Sequence, residues 1–267
     1  MTQSGIKEIQ VLGSAGKRRS LAILGVLGFV IVWTMLSILN VVPRLLLPSP
    51  WRVILAIGDI GFALLVHVGA TVVRVFVGFL LGSALGVGVG VWMQYDRRVF
   101  ALLDGVVDTW RPVPPVALVP FFILWFGFAE VGKILLVTLG TGLVVTVAVV
   151  EAMERIPAGV VRWGLVTGVR RRHLFRLVLL PAAMPELRSG FRIALAIAVT
   201  LVVVSEFMGA TYGLGYLINV SKVTLSTATI LLGIIIIGLV SWTLDRVLRY
   251  GFDRACAWDI RAKGAIR

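Results

Sequence analysis

The sequence predicts an all-α membrane protein of about six transmembrane helices, on three observations. Hydrophobic residues make up 59% of the 267 and charged residues only 15%, against roughly 25% charged in soluble proteins. Apolar runs recur along the chain at lengths near the roughly 20 residues that cross hydrocarbon. The basic residues fall between those runs rather than on a separate soluble domain. That distribution turns a formal charge of +13 away from nucleic acid and toward the orientation of membrane spans. The single cysteine, Cys256, excludes an internal disulfide framework or cysteine cluster, and two histidines, His67 and His173, leave no metal site to expect.

Residues 1–20 read as an N-terminal tail, carrying Lys7, Lys17, Arg18 and Arg19. Leu21 to Val42 follows as a charge-free run of 22 residues with no small-x-small cleavage site, so it reads as a retained anchor rather than a signal peptide. Leu47-Pro48-Ser49-Pro50 then opens a short amphipathic helix, Trp51 to Leu65, with Trp51 as an interfacial anchor. The second span, Val68 to Met93, is interrupted only by Arg74. In it Gly78, Gly82, Gly86 and Gly90 recur every fourth residue, a flat strip on one helix face where another backbone can approach closely. Such a strip serves packing within the subunit or contact with a second copy, and either use makes this helix central.

The third apolar stretch, Val106 to Phe128, contains Pro112, Pro114, Pro115 and Pro120 and cannot run as one regular helix. Broken backbone at membrane depth is tolerated only beside protein or a watery cavity, so this stretch points to a substrate path at Arg111, Pro112 and Pro114; the alternative is a re-entrant kink near the inner surface. Ile134 to Val150 and Val223 to Leu244 are clean spans, and Ile193 to Gly209 carries Glu206 near its end. Charge inside a span is expensive and usually functional. Arg74, Arg111 and Glu206 are therefore candidate path residues for an anion, with snorkelling, or pairing to an acid such as Glu206, as the alternative for Arg74. The glycine-rich run Gly209 to Tyr216 has no preceding strand and no Lys-Ser/Thr pair, so it reads as an outer gate or turn rather than a nucleotide loop. No constellation for catalysis appears, and no cofactor is expected in this chain.

Six crossings return the chain to its starting side, and the basic residues say which side that is. Four Lys and Arg precede the first span, two are Arg97 and Arg98, eight lie between Glu151 and Arg192, and six run from Arg246 onward. These twenty of 26 place both termini, including the tail 251–267, and the polar island 151–192 in the cytoplasm. Within the island Pro157 suits a helix start, Val160, Val161, Leu165 and Val166 have helical spacing, and Gly168 suits a C-terminal cap. A helix of about ten residues is predicted there. Arg170 to Arg172 and Arg176 then form a basic face, with Pro181 and Pro185 expected to stop the segment before the fifth span.

The island resembles the "EAA" loop of permease subunits of ATP-binding-cassette importers, on Gly168, Val178, Leu180 and Pro181. It departs from that pattern where Arg162-Trp163-Gly164 stand in place of Glu-Ala-Ala, and Glu151-Ala152 is out of register. Beyond the loop, nearly the whole chain resembles the sulfonate, taurine and nitrate permease branch. The matching segments are Leu47 to Pro50, Arg111-Pro112-Val113-Pro114-Pro115-Val116-Ala117, Trp125-Phe126-Gly127-Phe128, Leu180 to Pro185 with Gly190-Phe191-Arg192, and Gly213 to Tyr216.

The resemblance implies a type I importer (MetI-like) permease fold over residues 21–250, in a bacterial plasma (inner) membrane. It implies a homodimer with two ATPase subunits that carry ATP and Mg, and an extracytoplasmic substrate-binding protein. It also makes 151–192 the coupling loop, with Val160, Val161, Arg162, Trp163, Gly164, Leu165, Thr167 and Gly168 toward the ATPase. The solute expected is small and anionic, a sulfonate, taurine, nitrate or similar. The alternative class, an ion-coupled carrier acting alone, would need buried carboxylates, of which the sequence offers Glu206.

Overall fold

The computed structural model describes residues 15–43, 45–166, 168 and 170–257, and every regular element among them is helical. In chain order these are α1 (Ala15–Ile38), α2 (Pro50–Ile60), α3 (Ala63–Tyr95), α4 (Arg97–Trp110), a 3-10 turn (Pro115–Leu118), α5 (Val119–Phe126) and α6 (Glu130–Glu154). Then come α7 (Ala158–Val166), α8 (Arg171–Leu174), a π-helical turn (Phe175–Leu179), α9 (Leu180–Gly209), α10 (Leu214–Val223) and α11 (Thr227–Ala255). Four stretches among the described residues are long and apolar enough to cross a membrane, namely Ala63–Tyr95, Glu130–Glu154, Arg172–Gly209 and Thr227–Ala255. Two shorter apolar helices, Ile23–Ile38 and Pro115–Phe126, accompany them, which is compatible with the six spans predicted.

The chain divides into two compact units. The first holds the residues up to Gly61 together with Ser221–Leu232. Here Trp33 donates its indole N–H to the Pro48 carbonyl at 3.1 Å, which fixes the loop between α1 and α2. Pro50 pre-sets the first turn of α2, and Gly61, at φ +59°, ends it. That glycine stops α2 at Ile60, short of the predicted Leu65. The helix buries Val53 and Ala56 and exposes Trp51, Ile54 and Leu55.

The second unit holds Phe62–Val220 and the chain from Gly233 onward. Its centre is α3 against α6, with α9 packed on α6, and the glycine strip explains the first contact. A Cβ on Gly78 would lie 2.6 Å from Val137 Cγ1, one on Gly82 2.6 Å from the Thr138 carbonyl, and one on Gly90 2.7 Å from Val149 Cβ. Gly86 faces the Gly142 carbonyl in the same way. Of the two uses open to the strip, this is packing within the chain. Thr141 and Thr146 of α6 meet it while donating to their own helix at Val137 O (2.7 Å) and Gly142 O (2.9 Å), so neither of these hydroxyls is stranded in the apolar interior. Val75, Val137, Ala198, Leu201 and Val202 close the core around these helices.

The third apolar stretch breaks as its prolines require. The Asp96 carboxylate caps α4 by accepting from Arg98 N at 2.8 Å, the helix ends at Trp110, and the chain turns through Pro112 and Pro114 before the 3-10 turn and α5. Gly127, at φ +60°, then lets the chain reverse into α6.

Pro181 and Pro185 do not stop the segment ahead of the fifth span, which corrects that expectation. Pro181 stands two residues after the π-helical turn Phe175–Leu179, where the helical hydrogen-bond pattern changes, and Pro185 lies inside α9. Ala183 and Leu187 on either side of Pro185 are buried against Val145 and Val149 of α6, and that burial outweighs the one hydrogen bond lost. Similarly, α11 runs past Leu244 because Asp245 pairs with Arg249 one turn on and with Arg192 of α9 at 2.6 Å.

Candidate functional site

Two charged clusters occupy opposite ends of α6, and both belong to the second unit. At the Glu130 end, Arg74 of α3 is the hub, its side chain only 7% exposed. Nε and Nη2 donate to the two oxygens of Glu130 at 2.6 and 2.8 Å, a bidentate pair. Nη1 donates to Glu206 Oε1 at 2.6 Å and to the Tyr212 carbonyl at 2.7 Å. Lys133, also 7% exposed, donates to Glu130 at 3.0 Å. Two buried cations thus face two carboxylates, and the cluster is neutral when all four are ionised.

Glu206 is the fixed member of this cluster. Its side chain is fully buried, and besides Arg74 it accepts from Thr71 Oγ1 at 2.9 Å and from the Gly215 N–H at 2.8 Å. Thr71 Oγ1 in turn accepts the Leu214 N–H at 2.8 Å, and His67 Nδ1 accepts the Gly213 N–H at 3.1 Å. Three successive backbone amides after the Gly209 turn are therefore held by α3 and by Glu206. The glycines follow from this: a Cβ on Gly213 would fall on the Glu206 carboxyl group, and one on Gly215 would come within 2.8 Å of Glu206 Cβ. Removing one partner of such a buried pair costs about 3–5 kcal/mol, since the other charge is left without compensation.

At the Glu154 end the arrangement is open. Arg111, just past α4, pairs with Glu151 of α6 at 2.5 Å, Glu151 reaches Arg155 at 3.5 Å, and Arg155 stands 3.8 Å from Glu186 of α9. These side chains are between 38% and 65% exposed and border a cleft of about 350 Å³ that Ser189, Val147, Ala148 and Ile193 also line. Pro112 and Pro114 lie exposed beside Arg111, where Val113 N–H closes a turn onto the Trp110 carbonyl at 3.0 Å.

The island helix α7 follows directly. Val160 N–H reaches the Pro157 carbonyl at 2.9 Å at its start, and Gly168, at φ +71°, lies just beyond its end. Gly164 faces the buried Leu174 of α8 so closely that a Cβ there would meet the Leu174 methyl. Phe175 packs edge-on against Tyr95 of α3, ring centroids 5.5 Å apart. Arg162, Arg170 and Arg172 are exposed; Thr167 and the side chains of Val161, Trp163 and Leu165 lie outside the described residues.

The structure thus brings Arg74 and Glu206 together and sets Arg111, Pro112 and Pro114 at the other end of α6. Thr71 and four charged participants were not singled out from the sequence. Glu130 and Lys133 precede the apolar run that begins at Ile134, and their three-residue spacing on one helix face was the available signal. Arg155 follows Glu151 by four residues, a spacing signal of the same kind, and Glu186 carried none of its own.

Residues 78–254 match the family described as binding-protein-dependent transport system inner membrane component. The taurine transport system permease protein TauC of Escherichia coli (strain K12) is 30% identical over 234 residues, 85% of each chain. A Bacillus subtilis (strain 168) protein named as an aliphatic sulfonates transport permease, SsuC, is 33% identical over 229 residues, 85% of this chain and 83% of that one. Among solved structures, a chain of the MetNI methionine ABC transporter in an inward-facing conformation shares the fold. It has a TM-score of 0.59 at 23% identity over 72% of this chain and 97% of that chain.

Proposed function

The chain belongs to the family of binding-protein-dependent transport system inner membrane components, and from that premise we propose how it works: α7 couples a partner ATPase to a path for a small anionic solute. It is a membrane-spanning permease subunit of an ATP-driven importer, with ATP hydrolysis on a separate subunit. ATP and Mg therefore belong to that partner. An ion-coupled carrier acting alone, the other class open to the sequence, does not fit this family.

In this reading two copies of the chain enclose the path, each served by one ATPase subunit, and a substrate-binding protein delivers the solute from outside. The polar island faces the cytoplasm and the Gly209–Gly215 turn faces out, in line with the basic residues that crowd the island side. Val160 to Gly168 meet the ATPase, with Arg162 and Trp163 taking the place of the family's Glu-Ala-Ala. Arg111, Pro112 and Pro114 border the inner end of the path. Arg74 and Glu206 hold the outer turn.

The observation that carries this reading is mechanical continuity. Leu174, against which Gly164 of α7 rests, ends α8, which continues through Phe175–Leu179 into α9. The 30 residues of α9 span about 45 Å at 1.5 Å each and place Glu206 at the far end, against Arg74. A displacement of α7 by the ATPase is thereby delivered to the clamp on the outer turn. The solute is proposed as a sulfonate or a related oxoanion, from the names of the two relatives and from the guanidinium of Arg111 at the inner cleft.

Gly168→Asp tests the coupling. The left-handed conformation at this position costs a residue with a Cβ about 1 kcal/mol, so the end of α7 is displaced rather than the fold lost. The variant is expected to insert into membranes and to lose co-purification with its ATPase. Normal co-purification with normal stimulated ATPase activity would remove α7 from the coupling role. For the solute, Arg111→Ala is expected to lower sulfonate uptake at low concentration, and unchanged uptake of every anion tried would end that assignment.

A further inference from the structure

We infer that the final turns of α11 carry a binding site for anionic phospholipid, built from Arg246 and Arg254 stacked on Trp242 and Tyr250, on the face of the helix turned away from the core. The site goes beyond the proposed function and takes from it only the orientation, which makes the leaflet concerned the cytoplasmic one.

The four-residue spacing of α11 sorts its basic end into stripes. Leu244, Leu248 and Phe252 pack on the core of the second unit, and Phe252 meets the ring of Phe191 of α9, centroids 5.3 Å apart. Asp245, Arg249 and Asp253 lie one position on, and both carboxylates are taken up there. Asp245 pairs with Arg192 and Arg249, and Asp253 with Arg188 of α9 at 2.8 Å. At 100° per residue, Arg246 and Tyr250 fall about 160° from Leu248, nearly opposite the packed stripe, and with Trp242 and Arg254 they are exposed. The aspartates are thus turned toward α9, and among the described residues no carboxylate pairs with Arg246 or Arg254.

Each of these two arginines has an aromatic ring instead. Cζ of Arg246 stands 5.4 Å from the centre of the Trp242 ring, and Cζ of Arg254 4.7 Å from that of Tyr250. Stacking engages the face of a guanidinium and leaves its in-plane N–H donors free. It also holds the group in one orientation, so the fork is preset for the oxygens of a phosphate.

The occupant follows from where the stripe leads. Ile235 and Leu239, exposed on the same side as Trp242 and Arg246, continue it toward the middle of the span. Of the four long spans this one is the least covered by its own chain, with 11% of its apolar stretch buried, so this side faces hydrocarbon. The 29 residues of α11 measure about 44 Å against a hydrocarbon layer of about 30 Å, and its basic end therefore extends past that layer. Trp242 and Tyr250 stand where aromatic side chains gather, at the membrane surface. What an apolar stripe meets as it leaves hydrocarbon is the headgroup layer, and on the cytoplasmic side that layer is negatively charged.

The test is native mass spectrometry of the full chain assembled with its ATPase subunits, titrated in detergent with phosphatidylglycerol, which is anionic, and with phosphatidylcholine, which carries no net charge. Wild type is expected to bind phosphatidylglycerol more tightly. Arg246→Gln and Arg254→Gln are each expected to weaken phosphatidylglycerol binding about fivefold and to leave phosphatidylcholine binding as it was. Trp242→Leu, which keeps both charges, is expected to weaken it about two- to fivefold. Equal wild-type affinity for the two lipids, or full phosphatidylglycerol binding in Trp242→Leu or in the double arginine variant, overturns the inference. So does an equal loss in Arg97→Gln, an exposed arginine at the start of α4, since it would mark diffuse attraction rather than a site. Displacement of the lipid by glycerol 3-phosphate at the same concentration overturns it as well, by assigning the arginines to a soluble phosphate. Solute uptake enters none of these readouts, so their failure leaves the proposed function standing.

Discussion

The two ends of α6 use the same chemistry in opposite surroundings. At the Glu130 end, Arg74 and Glu206 are shielded from solvent and saturated with hydrogen bonds, and the backbone of the following turn is stitched to them. At the Glu154 end, Arg111, Glu151, Arg155 and Glu186 stand in a chain of pairs that lengthen from 2.5 to 3.8 Å and remain open to water. An arginine–glutamate pair has no fixed role. Buried, it is a clamp, because parting it leaves a bare charge in a low dielectric. Wetted, it is exchangeable, because water or a ligand replaces either partner at little cost. One helix therefore carries a rigid end and an adaptable end.

The largest effect that would break this contrast is at Glu206. Glu206→Gln leaves Arg74 with one carboxylate instead of two and is expected to cost about 3–5 kcal/mol, read as a lowered thermal unfolding midpoint of the purified chain in detergent. A shift no greater than that of Arg111→Ala would show the two ends to be alike. Glu130→Gln comes next. This carboxylate is 55% exposed although both its partners are buried, so a loss of about 1–3 kcal/mol is expected, between the two extremes. Glu151→Gln is the smallest in stability, below about 1 kcal/mol, and its effect is expected in solute uptake rather than in unfolding. Salt sharpens the comparison further. Raising ionic strength to about 1 M, where the screening length is about 3 Å, should abolish the small stability difference between wild type and Glu151→Gln while leaving that of Glu206→Gln nearly whole. Equal attenuation of both would argue that Glu206 is wetter than its surroundings indicate.

Much of the rigid end was legible in the sequence, and little of the adaptable one. The strip of Gly78, Gly82, Gly86 and Gly90 could be read directly, because a four-residue period on a helix is local information. Arg74 stood out as a charge in a span, and Glu206 was named as an acid it could pair with. Glu130 and Lys133 escaped because hydropathy marks where an apolar run begins, and these two occupy the turn just before it. The chain of Arg111, Glu151, Arg155 and Glu186 joins residues as far as 75 positions apart in sequence, and only Glu151 and Arg155, four apart on α6, share a helical spacing. Pro185 shows the opposite failure: a sound local rule, that proline ends a helix, gave way to the burial of Ala183 and Leu187 on either side.

The glycine strip also determines which parts of the bundle are free to travel. Four successive turns of α3 lie backbone to backbone on α6, so neither helix can slide along the other without lifting every contact at once. In the proposed coupling this pair serves as the stator and α9 as the pushrod, driven through α8 and stopped at Arg74, and the proposed stroke is bounded by how far Glu206 can withdraw before two buried charges are parted.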